Sequence, residues 1–169
     1  NYKGFLFYMM EQYDKALPYF KQSLLIQPEL PFPVVFIGAC DLLAGNLQEG
    51  LNYFENLPED SSGFLSKLGG TAISHAMMGN ISEANEGISK LETFFGTPSE
   101  ANALNFITLC HIQLNNIEKA MELINQSVEN HFPMVLLLPT EPLAKPLHEL
   151  PAFKTIMQKL IGSDNREEP

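Results

Sequence analysis

Residues 4–28 read Gly4-Phe5-Leu6-Phe7-Tyr8-Met9-Met10-Glu11-Gln12-Tyr13-Asp14-Lys15-Ala16-Leu17-Pro18-Tyr19-Phe20-Lys21-Gln22-Ser23-Leu24-Leu25-Ile26-Gln27-Pro28. Small, aromatic and apolar residues recur at three- and four-residue steps, the spacing that gathers side chains on one face of a helix. The stretch predicts two antiparallel helices, and its pattern returns. Gly38 lies 34 residues after Gly4, Phe54 lies 34 after Phe20, and Gly79-Asn80 lies 34 after Gly45-Asn46. Glycine and asparagine tolerate the left-handed residue on which many helices end, so both dipeptides read as turns between paired helices. A fixed period of this length is the mark of stacked helical hairpins.

Working outward, the units fall at 1–28, 31–58, 64–96 and 99–130. In the second, Pro31-Phe32-Pro33 is expected to be extended, with a helix starting at Pro33. Val34, Val35, Ile37, Gly38, Leu42 and Leu43 then form its first helix, and Leu47, Leu51 and Phe54 mark a return helix closed by Pro58. The third unit's first helix is expected from Phe64 to Met78. Ser99 is the expected N-cap of the fourth unit and Asn115-Asn116 its turn; Ala120 comes 36 residues after Ala84, a two-residue insertion. From 131 to 161 the prolines at 133, 139, 142, 146 and 151 break the period. Ala152 to Ile161 closes this part as a helix with Phe153, Ile156, Met157 and Leu160 on one stripe, a cap of the kind that covers the last apolar face of a repeat array. Residues 162–169 are expected to form a flexible tail.

The 169 residues are 45% apolar, enough for a continuous core. Ten Lys and Arg against twenty Asp and Glu give a formal charge of −10, which repels phosphate backbones and anionic lipid. Nucleic acid and membrane are therefore not expected partners. Two cysteines make no disulfide framework, and no apolar run is long enough to span a bilayer, so a cytoplasmic setting is expected. The chain begins without methionine and partway through a first helix, which reads as a piece of a longer protein.

Gly4, Phe7, Tyr13, Ala16, Phe20 and Pro28 stand where the tetratricopeptide (TPR) family places its glycine, aromatic, tyrosine, alanine, phenylalanine and closing proline, so the chain resembles that family. The resemblance implies an all-α, right-handed solenoid of about four helix hairpins with a helical C-terminal cap. Pro142-Leu143-Ala144-Lys145-Pro146-Leu147 and Leu150-Pro151-Ala152-Phe153-Lys154 also resemble the tail of many bacterial TPR regions, which often lie downstream of a DNA-binding or nucleotide-cyclase domain in signalling proteins. The resemblance thus implies a non-catalytic, cofactor-free interaction or sensing region of a larger bacterial signalling or regulatory protein.

Carried over from the family, the partner-binding groove comprises Phe5, Tyr8 and Met9 in the first unit and Phe32, Val35, Ala39, Leu42 and Leu43 in the second. Ile73, Ala76 and Met77 belong to it in the third, and Asn102, Asn105, Leu109, Ile112 and Gln113 in the fourth. An apolar groove with adaptable methionines suits a protein or peptide bearing apolar anchors. Three alternatives stand beside this: the C-terminal cap fills the groove, a second copy covers it in a homodimer, or it senses a small apolar ligand. The family's carboxylate clamp is not matched. Its sites carry Asn1, Phe5, Phe36, Ser66 and Gly70, which offer no cation.

Asp41, His75 and His111 share one repeat position, separated by 34 and then 36 residues. Helices pack about 8 to 10 Å apart, so these side chains are poorly placed for one metal ion; a row of half-buried polar residues bonded between the two helices of each unit is expected. Cys40 and Cys110, next to that row, are expected as small buried apolar residues. Glu83, Glu86 and Glu92 read as a solvated helix face. The sequons at Asn80 and Asn125 carry little weight, because the motif is common by chance.

Overall fold

The computed structural model describes residues 2–27, 31–59 and 63–162. Among these it is all-helical. Four pairs of α-helices succeed one another: α1 (Tyr2–Met9) with α2 (Tyr13–Ile26), α3 (Pro31–Leu43) with α4 (Leu47–Glu55), α5 (Phe64–Met78) with α6 (Ile81–Glu92), and α7 (Glu100–Gln113) with α8 (Ile117–Glu129). Two 3-10 helices, Pro133–Leu137 and Pro142–Leu147, lead into α9 (Pro151–Gly162). Gly162, expected to open the flexible tail, instead ends α9; the rest of that tail, 163–169, lies outside the described residues, as do Asn1 and Pro28, the two ends of the expected first unit.

The four pairs turn in the same way. Glu11, Gly45, Gly79 and Asn115 all have left-handed backbone, with φ of 57°, 88°, 78° and 57°. In each turn two amides bond back to the helix they leave. One set runs from Gln12, Asn46, Asn80 and Asn116 to the carbonyls of Phe7, Asp41, His75 and His111 at 2.8 to 2.9 Å. The other runs from the left-handed residue itself to Tyr8, Leu42, Ala76 and Ile112 at 2.9 to 3.1 Å. Together they satisfy carbonyls that the helix end leaves without partners. Glu11 takes this conformation without glycine's freedom, and only glycine adopts it without a steric cost.

In the first three pairs the crossing is close enough to require a missing side chain. A Cβ on Gly4 would lie 3.1 Å from Tyr19 Cβ, and one on Gly38 3.2 Å from Tyr53 Cβ. In the third pair the glycine changes sides: Ala72 occupies the first helix, and a Cβ on Gly87 opposite would lie 2.6 Å from Ala72 Cβ.

Each helix from α1 to α8 packs on the next, and α1, α3, α5 and α7 also pack successively on one another. Buried Leu42, Phe54, Ala72, Leu91, Leu104, Ile107 and Ile124 belong to a core running through the later pairs, joined by Val135, Leu138, Leu143, Leu147, Phe153 and Met157 of the C-terminal segment. Tyr8, Ala16, Phe20, Ile37 and Cys40 form a second cluster around the first pair.

Two expectations need correction. Helix α3 begins at Pro31, so Pro31-Phe32-Pro33 is helical rather than extended. Both prolines fall within the first turn, where backbone N–H groups have no intrahelical acceptor and nothing is lost by their absence. Ser99 does occupy the N-cap of α7, but its side chain makes no capping bond. The Glu100 carboxylate instead reaches back to accept from the Gly96 amide at 2.8 Å.

Candidate functional site

The C-terminal segment does not merely cover the end of the last pair. Both 3-10 helices pack on α7, and their residues roof the face lined by the odd-numbered helices. Beneath them lies a cavity of about 330 Å³. Its floor includes Phe5, Tyr8 and Met9 from α1, Phe32, Val35 and Leu42 from α3, Ile73 from α5, and Asn105 and Leu109 from α7. Its roof is Met134, Leu137, Leu138, Glu141 and Leu143. Of the expected groove residues, those on the floor and Ala39 meet in one place.

Leu43, Met77 and Ile112 do not. Leu43 is half-buried between the two clusters, Met77 packs half-buried against the main core, and Ile112 is buried within it. Ala76 is buried too, and Asn102 is exposed. On a helix, neighbouring positions face about 100° apart, so the step from Leu42 to Leu43 is enough to leave the wall.

Four further wall residues lie outside the expected groove: Phe36, Phe54, Gly70 and Phe106. Glycine explains two of the rings. A Cβ on Gly69 would fall 2.2 Å from Phe106 Cγ, and one on Gly70 2.0 Å from Phe54 Cδ1. Adjacent glycines inside a helix cost roughly 1 kcal/mol each against alanine, so the Gly69-Gly70 pair is the signal that large side chains enter there. Phe36 packs edge-on to Phe5 and Tyr8, with centroids 5.3 and 5.0 Å away.

Polar bonds tie the roof down at three places. The Tyr8 hydroxyl donates to Glu141 Oε1 at 2.6 Å, and the Leu143 amide donates to the same oxygen at 3.1 Å. Gln113 Nε2 donates to the Leu143 carbonyl at 2.6 Å. At the exposed rim Lys145 Nζ lies 2.6 Å from Glu11 Oε2, a surface pair of small energetic weight. Burial raises the Glu141 carboxyl above the usual carboxylate range, opposed by the bonds from Tyr8 and Leu143 and by the charge of His148. Tyr8 is raised well above 10, first by burial and then by Glu141.

The repeated polar row is local. Asn46 Nδ2 donates to Asp41 Oδ1 at 3.3 Å, and Asn80 Nδ2 lies 3.3 Å from His75 Nδ1. Each bond links a first helix to the asparagine that opens the second. In the fourth pair Asn116 caps α8 by accepting from the Lys119 amide at 3.4 Å, and His111 Nδ1 is buried with no partner. Burial lowers the His111 pKa, with Lys119 adding to the effect and Glu92 opposing it. Among the described residues no three His, Cys, Asp or Glu side chains are gathered closely enough to hold a metal ion. Cys40 and Cys110 are buried free thiols, both raised to about 12 with burial as the leading cause. Glu83, Glu86 and Glu92 are exposed, and Glu86 pairs with Lys90 at 2.7 Å. Among the described residues no helix is long and apolar enough to cross a membrane.

Comparison of the chain with protein-family models, with curated proteins and with solved structures returned no match.

Proposed function

We propose that this chain is a non-catalytic, TPR-like helical solenoid serving as a sensing region of a larger bacterial regulatory protein, with a small apolar ligand held under its own C-terminal cap. The solenoid reading is supported by the identical turns at 34- and 36-residue spacing and by odd-numbered helices that pack in succession. The regulatory role rests on the resemblance of the repeats and tail. The observation that carries the ligand is the cavity: groove and cap residues line one space of about 330 Å³ that their own side chains leave unfilled. That volume is at the lower end of the range of ligand sites. In this reading, ligand occupancy stabilises the closed cap, and an upstream effector domain senses the change.

A thermal-shift titration with uncharged compounds such as indole and 2-phenylethanol tests it. A ligand at 100 times its Kd adds about 2.7 kcal/mol, or roughly 5 to 10 °C for a chain of this size. Leu109→Trp, which fills the space, should remove the shift. No shift with any compound, and none lost in the filled variant, refutes the reading.

Self-association is a second reading, favoured by a different face. Tyr2, Leu6 and Met10 stand at four-residue steps along and just beyond α1 and are 89%, 60% and 61% exposed. Light scattering on the unaltered chain and on Leu6→Glu decides this; a monomer in both refutes it.

A further inference from the structure

The cavity has a polar feature that an apolar ligand alone does not call for. Six aromatic side chains, Phe5, Tyr8, Phe32, Phe36, Phe54 and Phe106, share its wall with one carboxylate, Glu141. Both bonds to that carboxylate fall on Oε1, from Tyr8 and from the Leu143 amide. Oε2 has no hydrogen-bond partner among the described residues. No lysine, arginine or histidine lines the cavity. Of the cap's basic groups, Lys145 pairs with Glu11 at the rim, and His148 Nε2 lies 2.8 Å from the Leu138 carbonyl.

We infer that the cavity takes a small organic cation, a primary or secondary ammonium on an aromatic or short aliphatic body, whose N–H donates to Glu141 Oε2 while the rings surround the rest. The inference rests on the reading of the cavity as a ligand site and names the class of ligand. Three physical reasons point the same way. Aromatic faces carry negative electrostatic potential and attract an ammonium over their centres. A carboxylate largely withdrawn from water, with only the charge of His148 acting on it, is costly, and a cationic ligand reduces that cost. A carboxylate or phosphate ligand would meet Glu141 with no cation to offset the repulsion. The formal charge of −10 adds a field that concentrates cations at the surface. Taking the roughly 30 Å³ that a water occupies in the liquid, the space holds about ten non-hydrogen atoms.

Calorimetric titration of the full chain at pH 7 with phenethylamine, 2-phenylethanol and 3-phenylpropionate tests the inference. The three share a ring and a two-carbon chain and differ in the charge of the head group. Phenethylamine should bind at least tenfold more tightly than the alcohol and at least a hundredfold more tightly than the carboxylate. Glu141→Gln should remove the amine's advantage over the alcohol, both measured on that variant, with circular dichroism showing the helices intact. Equal binding of amine and carboxylate, or an amine preference that survives Glu141→Gln, overturns the cation and leaves the ligand site standing. Binding of the alcohol without the amine does the same. Binding by none of the three overturns the ligand site itself. The comparison of three probes on the unaltered chain decides the matter even where the variant fails to fold.

Discussion

Tyr8→Phe isolates the attachment of the cap to the repeats. Tyr8 is 1% exposed and its ring is packed among Phe5, Tyr13 and Phe36, so phenylalanine keeps the packing and removes only the hydroxyl. What is lost is a 2.6 Å bond to Glu141 across 133 positions of sequence. A hydrogen bond to a charged group contributes about 1.5 to 3 kcal/mol, and a neutral one about 0.5 to 1.5. With Glu141 ionised the expected loss is about 2 kcal/mol, because Oε1 retains only the Leu143 amide. In a chain of this size that is about 4 to 8 °C in Tm. Where the cap opens by itself, the same loss speeds amide exchange in residues 133–147 by about thirtyfold, while α5 and α6 remain protected. At acid pH, with Glu141 protonated, the loss should fall to about 1 kcal/mol. Hydrogen exchange read by mass spectrometry, at two pH values, is the assay. Unchanged exchange in 133–147 together with a Tm shift under 1 °C refutes the cap as a segment latched by this pair.

The same geometry has other consequences. Gly70→Ala gains about 1 kcal/mol of helix propensity, but its Cβ would fall 2.0 Å from the Phe54 ring. Overpacking costs about 1 to 3 kcal/mol, so a net loss near 1 kcal/mol is expected in urea unfolding, relieved by Phe54→Leu; a stabilised Gly70→Ala contradicts the packing. Leu43→Glu should lower stability by about 2 kcal/mol or more, through burial of a charge between the two core clusters, while ligand affinity in the folded fraction is unchanged; a lost affinity at unchanged Tm would place Leu43 on the wall after all. Stability should depend on pH through Glu141. Its folded pKa is raised, so the folded state holds the proton more tightly, and stability declines as pH rises from about 4.5 through the raised value. Tyr8, Tyr13 and His148 are the titratable groups that interact with Glu141, and of these Tyr8, through its hydrogen bond, and His148, through its charge, oppose the rise. Chemical denaturation from pH 4 to 8 should show a shallower decline in Glu141→Gln; identical slopes contradict it.

The sequence by itself determined the local structure. The turns at Gly45, Gly79 and Asn115 were legible because left-handed backbone restricts residue type, and the 34-residue period was legible in part because the crossings at Gly4 and Gly38 repeat the same steric demand. Helix α5 runs from Phe64 to Met78 as the spacing implied. Most of the residues that the family resemblance assigned to a groove line the cavity. Glu11 is not legible as a turn residue, because nothing about a glutamate announces positive φ. The tertiary structure alone decided what covers the groove. The cap, a second copy and an external ligand all satisfy the same apolar demand, and burial is not directional. The choice came from bonds between residues more than a hundred positions apart, Tyr8 to Glu141 and Glu11 to Lys145, and from the small gap left between two surfaces. Such a gap is a difference of packed volumes, which no periodicity in the sequence records.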